Sequence, residues 1–502
     1  MERTTLSRAA PSVKLSQNAD VIVVGCGLSG AMAAMEAADC GASVIVLEKM
    51  DEPGGCARWS TAQLSGACTK LQLMAGIKDA PVLHFTECMA IGEYKNNSRL
   101  LKLAVEQAGP TIDWLCDIGV PLELSKQTGH EAYSVQRTCG VPVDKAEGSG
   151  GLNVFRAVFA EMMKRVERGD IRYQAGVRAS RLVLDSNGVV TGIEAERKDG
   201  THLRFSSKNV VLTTGGFSGN VQLMRQHNPH LKNMLVFPAL ADFATGDGIL
   251  MAQAISAQIS SKGYAAGYPG GVEDRERPGL CRYIVDMKQY PGAIWVDGTG
   301  RRIANENTES DTVREEAALK AVDCIIYVIL DRVIKEQNRP IVLGNFSPEG
   351  LDWPAFEREA EKGVFVFRAE TIGSLAEKCG IDVGSLEQTI SRYNSYVSSG
   401  RDPEFGRREL QYAISNPPFY AIRTRPRVLS GMPGDGISVN EHRQALDTNG
   451  RVISGLYAAG DAIGTAAVSG RRPCAGFALT PALIFGRIAG QNAARQALRE
   501  WC

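Results

Sequence analysis

An apolar run of strand length, Ala19-Asp-Val-Ile-Val-Val24, leads directly into Gly25-Cys-Gly-Leu-Ser-Gly30. A helical stretch from Leu28 to Cys40 follows, then a second apolar run, Ser43-Val-Ile-Val-Leu47, that ends in Glu48. This order constrains the fold more than any other feature, because two buried strands joined by such a helix make a parallel βαβ unit. In a chain with 53 glycines a Gly-x-Gly-x-x-Gly match means little by itself, and its setting between strand and helix gives it weight. Gly25 lets the chain turn tightly out of the strand, Gly27 lets backbone N–H groups approach a pyrophosphate, and Gly30 lets the helix pack closely. The helix N-terminus then faces the negative charge. Glu48, 18 residues beyond Gly30, is placed to accept from the adenosine ribose of a dinucleotide, and Lys49 at the strand exit is ambiguous.

Near the other end run Gly455-Leu-Tyr-Ala-Ala-Gly-Asp-Ala462 and Ser469-Gly-Arg-Arg-Pro-Cys-Ala-Gly-Phe-Ala-Leu-Thr-Pro-Ala482, before a helical tail from about 480 to 499. Together with the first turn they point to FAD. Lys plus Arg equals Asp plus Glu at 56 each, so no overall field favours nucleic acid or an anionic membrane. No apolar stretch reaches transmembrane length and the first residues hold no signal-peptide core, which implies a soluble, cytoplasmic enzyme. The 12 cysteines include no Cys-x-x-Cys pair and the 6 histidines no close-spaced ligand pair, so no c-type haem, obvious iron–sulfur cluster or zinc site is expected.

After Glu48 a Gly54-Gly55 loop brings backbone near a bound cofactor, helical patterns run from about 81 to 118, and residues 171 to 214 read as a hairpin-rich β segment. A further helix opens near Ala244-Thr-Gly-Asp-Gly248. From about 266 to 414 the texture changes, with a strand and turn at Pro291–Gly300 and amphipathic helices near 311–338 and 384–399. These features predict an N-terminal tail over 1–18, a dinucleotide domain in two parts, 19–265 and 415–502, and an inserted domain over 266–414.

These blocks, in this order, resemble the flavoprotein superfamily of fumarate reductase, the succinate dehydrogenase flavoprotein and the 3-ketosteroid dehydrogenases, nearest the last branch. The resemblance implies an α/β fold, with a Rossmann-like (GR2-type) FAD-binding domain and an inserted α+β capping domain that meet over the flavin. Matching cofactor positions are Gly25, Gly27, Gly30, Glu48, Gly54, Gly55, Ser60, Val177, Thr214, Gly215, Gly460 and Asp461, with Lys49 beside them. Asp461 would accept from a ribityl hydroxyl. The histidine used for covalent flavin attachment has no counterpart near Gly55–Gly66, so FAD is expected to be non-covalent.

The substrate positions match unevenly. The arginine that serves fumarate reductases as proton donor falls on Ser310, with Arg314 nearby, and the histidine expected in Val428–Gly434 is missing. The ketosteroid dehydrogenase segment Tyr-Pro-Gly-Ala-Gly falls on Arg472-Pro-Cys-Ala-Gly476, so Arg472 and the Gly476 N–H take the place of the groups that hold a substrate carbonyl. A guanidinium there suits a carboxylate or an enolate. For the acid or base the candidates are Tyr290, favoured for direct proton transfer, and Asp286, which takes the place of a carboxylate in the fumarate reductase proton relay. The expected activity is hydrogen addition or removal across a C–C bond conjugated to a carbonyl, on a ring ketone or enone. Two rivals are an ene-reductase of an unsaturated carboxylic acid and a non-catalytic flavin-binding protein. The expected partners are a small-molecule substrate and an external electron carrier or acceptor, since no second Gly-x-Gly-x-x-Gly unit provides a nicotinamide site.

Overall fold

The structure, a computed structural model, describes residues 14–125, 133–227, 233–236, 240, 242–260, 265–285, 292–308, 310–337, 342–344 and 351–499. Asp286 and Tyr290 lie outside the described residues.

The first strand, β1 (Lys14–Val24), the helix α1 (Leu28–Asp39) and the strand β2 (Val44–Leu47) form the predicted βαβ unit. β1 pairs in parallel with β2 and, on its other side, with β3 (His202–Leu212). β3 pairs in parallel with β4 (Val452–Ala458), and Ile171–Gln174 extends the sheet beyond β2. Residues 14–18, expected to be a tail, already belong to β1, where Lys14 pairs with Leu203 and Gln17 with Phe205.

In this sheet Val24, Leu47, Leu212 and Ala458 end their strands in one register. Gly25, Glu48, Thr213 and Ala459 therefore leave the sheet along one edge, where open parallel sheets bind ligands. The apolar faces explain the arrangement: Val44–Leu47 is buried at every position, and α1 is buried from Leu28 to Met35. A strand covered on both faces reads as a continuous apolar run. The last helix, Leu479–Arg499, packs on α1 with its Leu483, Ala489 and Ala493 fully buried.

A second, antiparallel sheet is built from Ile294–Asp297, Ile326–Asp331, Phe419–Pro433, Ala265–Glu273, Cys281–Val285 and Val342–Gly344, with Val366–Ala369 beside Phe419–Pro433. It encloses its own apolar cluster, including Trp295, Val328, Phe356 and Tyr393. Its strand Phe419–Pro433 lies beyond residue 414, after which the return to the first domain was expected. The helical stretch expected over 311–338 is interrupted: Asp311–Lys320 and Arg332–Glu336 flank the strand Ile326–Asp331. Ile-Tyr-Val-Ile-Leu is β-branched or aromatic for four of its five residues and buried throughout, which a central strand accepts and an amphipathic surface helix does not.

Candidate active site

A cleft of about 940 Å³, open to solvent, lies along the strand ends and is lined by Gly25, Gly27, Glu48, Lys49, Gly54, Gly55, Val177, Thr214, Gly215 and Asp461. A smaller hollow adjoins it beyond Asp461, between Gly460, Val468, Phe477 and Phe485. Two expected cofactor positions line neither. Gly30 packs inside the βαβ unit, where a Cβ would stand 1.9 Å from the Gly25 carbonyl oxygen. Ser60 ends a short helical turn, and its hydroxyl donates to the Ala57 carbonyl at 3.1 Å.

Glu48 is 7% exposed and both its oxygens serve the backbone: one accepts from Cys26 N at 2.7 Å, the other from Met50 N at 2.8 Å. The carboxylate thus fastens the glycine turn to the end of β2, with lone pairs left toward the cleft. Burial pushes its pKa above the ordinary carboxylate value, against the pull of those N–H groups.

Lys49 reaches across the cleft wall to Asp247 at 2.9 Å and to the Thr245 hydroxyl at 2.6 Å. Arg178 meets the other Asp247 oxygen at 2.7 Å. The Asp247 pKa is lowered, because Arg178 and Lys49 outweigh the effect of burial. Sequence reasoning missed Arg178 and Asp247. The available signal was the Thr245-Gly-Asp247-Gly turn, which opens the helix Asp247–Gln253 and puts an acid in its first turn.

The residues present fit FAD on three observations. Gly27 is the N-cap of α1, no side chain caps it, and a Cβ there would find only the Gly54 carbonyl oxygen at 3.9 Å, so first-turn N–H groups face open space. The Thr214 hydroxyl is buried with no hydrogen-bond partner among the described residues. Asp461 is recessed at the junction of the two hollows, and burial raises its pKa to about 7. Gly460 before it has φ +69°, and a Cβ there would lie 2.4 Å from Ser29 Oγ.

The raised Asp461 pKa predicts a pH dependence of the FAD-free protein. Relative to an ordinary value of 3.8, stability from this group is fully present below about pH 4 and lost as pH rises through about 7. The melting temperature should fall between about pH 4 and 7, and Asp461→Asn should remove that part of the slope. An identical slope in the variant would disprove the assignment.

On the substrate side, Arg472 sits between two carboxylates, with Nε 3.1 Å from Glu93 and Nη2 3.2 Å from Glu316. Gly476 is left-handed at φ +67°, and a Cβ there would press on Leu64 at 2.8 Å. Cys474 is buried beside Cys88. Ser310 is the N-cap of the helix Asp311–Lys320, and its hydroxyl accepts from Val313 N at 3.3 Å. Ser310→Ala should therefore cost about 1 kcal/mol of stability, read from denaturant unfolding. A loss of turnover without that destabilisation would restore a chemical role. Arg314 is buried and donates to the Thr308 carbonyl. The Glu306 carboxylate bonds Arg302 at 2.8 Å and Arg407 at 3.1 Å inside the second sheet, a structural network.

The model of the FAD binding domain family matches residues 20–479. The chain belongs to that family. This flavoprotein is 29% identical over 492 residues to urocanate reductase of Eggerthella lenta, covering 96% of this chain and 76% of the relative. The open conformation of a flavocytochrome c3 fumarate reductase superposes with a TM-score of 0.73 at 27% identity, covering 97% of this chain and 79% of that one. The fold is shared with 3-ketosteroid Δ1-dehydrogenase of Sterolibacterium denitrificans, with a TM-score of 0.77 at 22% identity, 96% of this chain and 100% of that one. The flavoprotein is accordingly an FAD-dependent oxidoreductase, with relatives that include fumarate reductases. Among its described residues no helix is long and apolar enough to cross a membrane, and no cluster of His, Cys, Asp and Glu is placed to hold a metal ion.

Proposed function

We propose that this flavoprotein adds or removes hydrogen across a C–C bond conjugated to a carbonyl, with a ring ketone or enone as its substrate class. The observation that carries this reading is the pairing of Arg472 with Glu93 and Glu316, which engages Nε and Nη2 and matches the charge of the guanidinium. A remaining N–H of such a group suits a neutral carbonyl oxygen, on which negative charge builds only as the reaction proceeds. The Gly476 N–H is the second donor in this assignment. At these two positions of the middle block Ser310 caps a helix and carries no guanidinium, while Arg314 is buried and donates to the Thr308 carbonyl.

FAD, bound non-covalently along the strand ends, would supply the group that accepts or gives a hydride. Glu48 and the N-terminus of α1 would hold its adenosine and pyrophosphate, and Asp461 a ribityl hydroxyl. The positive end of the helix Leu479–Arg499 would stabilise negative charge at the first turn of that helix, where Leu479 and Ala482 line the cleft. Electrons would pass to or from an external carrier or soluble acceptor. The second sheet would act as the cap. For the proton step Tyr290 remains our candidate, with Asp286 as the alternative.

A second reading, reduction of an unsaturated carboxylic acid, is favoured by the names of urocanate reductase and flavocytochrome c3 fumarate reductase among the relatives. Anaerobic flavin spectroscopy separates the two. Bleaching of the oxidised protein by ring ketones, or reoxidation of the dithionite-reduced protein by enones, supports the first reading. Reoxidation by unsaturated acids alone supports the second, and silence toward all three classes would favour a non-catalytic flavoprotein.

A further inference from the structure

The turn that follows the helix Pro81–Ile91 places two consecutive non-glycine residues in the left-handed region, Glu93 at φ +53° and Tyr94 at φ +55°. Each such residue costs roughly 1–2 kcal/mol and persists only where its surroundings enforce it. Here they do. The Gly92 carbonyl accepts from Arg471 N at 3.1 Å, Asn96 Nδ2 donates to the Val468 carbonyl at 2.6 Å, and Asn97 N donates to the Ala467 carbonyl at 2.9 Å. The strained turn is thus bolted to the loop that carries Arg472, and the Glu93 carboxylate is held against both Arg471 and Arg472, at 3.4 and 3.1 Å.

Nη2 of the same guanidinium meets Glu316, from the helix Asp311–Lys320 that packs on the second sheet. Two arginines and two glutamates therefore meet where the two layers approach, one glutamate from each side. All three members of the inner set, Arg472, Glu93 and Glu316, have side chains about one-third exposed, so the pairs add little stability. Their charge acts on an arriving ligand as well. A carboxylate seeking Arg472 must displace a glutamate or lie beside two of them, whereas a neutral carbonyl meets no such repulsion.

We propose that Glu93 and Glu316 are specificity-determining positioning residues, which fix the Arg472 fork and exclude carboxylate substrates from it. The proposal rests on the assignment of Arg472 as a donor to the substrate oxygen, and it deepens that reading by naming what the site rejects. Specificity here comes from a repulsive element as well as an attractive one.

The test is calorimetric titration of the oxidised FAD-loaded protein with succinate and with 3-phenylpropionate, unreactive saturated acids used as probes. Wild type, Glu93→Gln, Glu316→Gln, the double variant and Glu316→Asp are compared. The glutamine variants should bind at least one acid tenfold or more tighter than wild type, while Glu316→Asp, which keeps the charge, should stay near the wild-type affinity. A merely structural role for these glutamates predicts weaker binding or none. Unchanged or weakened acid binding in every glutamine variant that retains its flavin absorbance overturns the proposal. Reduced wild-type protein that neither enones nor acids reoxidise would sink the catalytic reading separately, and the titration would still decide whether the glutamates repel carboxylates. The single glutamine variants keep the test open if the double variant fails to fold.

Discussion

Glu48→Ala is expected to release FAD at least tenfold more readily and to destabilise the FAD-free protein as well. The carboxylate is buried and supplies the acceptors for Cys26 N and Met50 N, so its removal strands one donor in the glycine turn and one just beyond β2. An unsatisfied buried donor costs about 1–3 kcal/mol. The glycine turn loses its tie to the second strand, and the first turn of α1 loses its fixed aim at a bound anion. Glu48→Gln keeps an acceptor oxygen for one of the two N–H groups and should fall between alanine and wild type. Flavin-to-protein ratio after gel filtration measures retention, and denaturant unfolding of the stripped protein measures stability. Alanine protein that keeps its full flavin complement through gel filtration would discredit the ribose assignment.

The βαβ unit was legible because its signals are local: two apolar runs, a glycine turn and an acid at a fixed distance. The burial of Val44–Leu47 on both faces is the same fact seen in three dimensions. Gly30 was legible as a packing residue, since only close approach to the Gly25 carbonyl requires the missing Cβ. The strand Ile326–Asp331 was harder, because short apolar runs fit helix and strand alike until neighbouring strands are known. Least legible was everything that depends on distant segments meeting. Asp247 gains its role from Lys49 and Arg178, 198 and 69 residues away, and Arg472 from Glu93 and Glu316, 379 and 156 residues away. No periodicity or motif encodes such ion pairs. For Arg472 the sequence carried the charge and the loop, while the matching carboxylates came only with the fold.

Replacing Arg472 by alanine should lower the rate of substrate-driven flavin bleaching or reoxidation by about 10²–10³-fold, the usual loss when one charge-stabilising donor is removed. FAD should remain bound, because Arg472 lines neither hollow at the strand ends. Unfolding cannot account for the loss: partly exposed ion pairs such as these contribute about 0–1 kcal/mol, so the melting temperature should move little. Arg472→Lys separates charge from geometry. An ammonium keeps the positive charge yet lacks the planar fork that spans Glu93 and Glu316 while pointing a third donor elsewhere. If the fork matters, lysine recovers only part of the rate; if charge alone matters, lysine restores nearly all of it. Equal turnover in the alanine variant and wild type would refute the assignment of Arg472 as the oxygen donor, and with it the chemical meaning of the two glutamates around it.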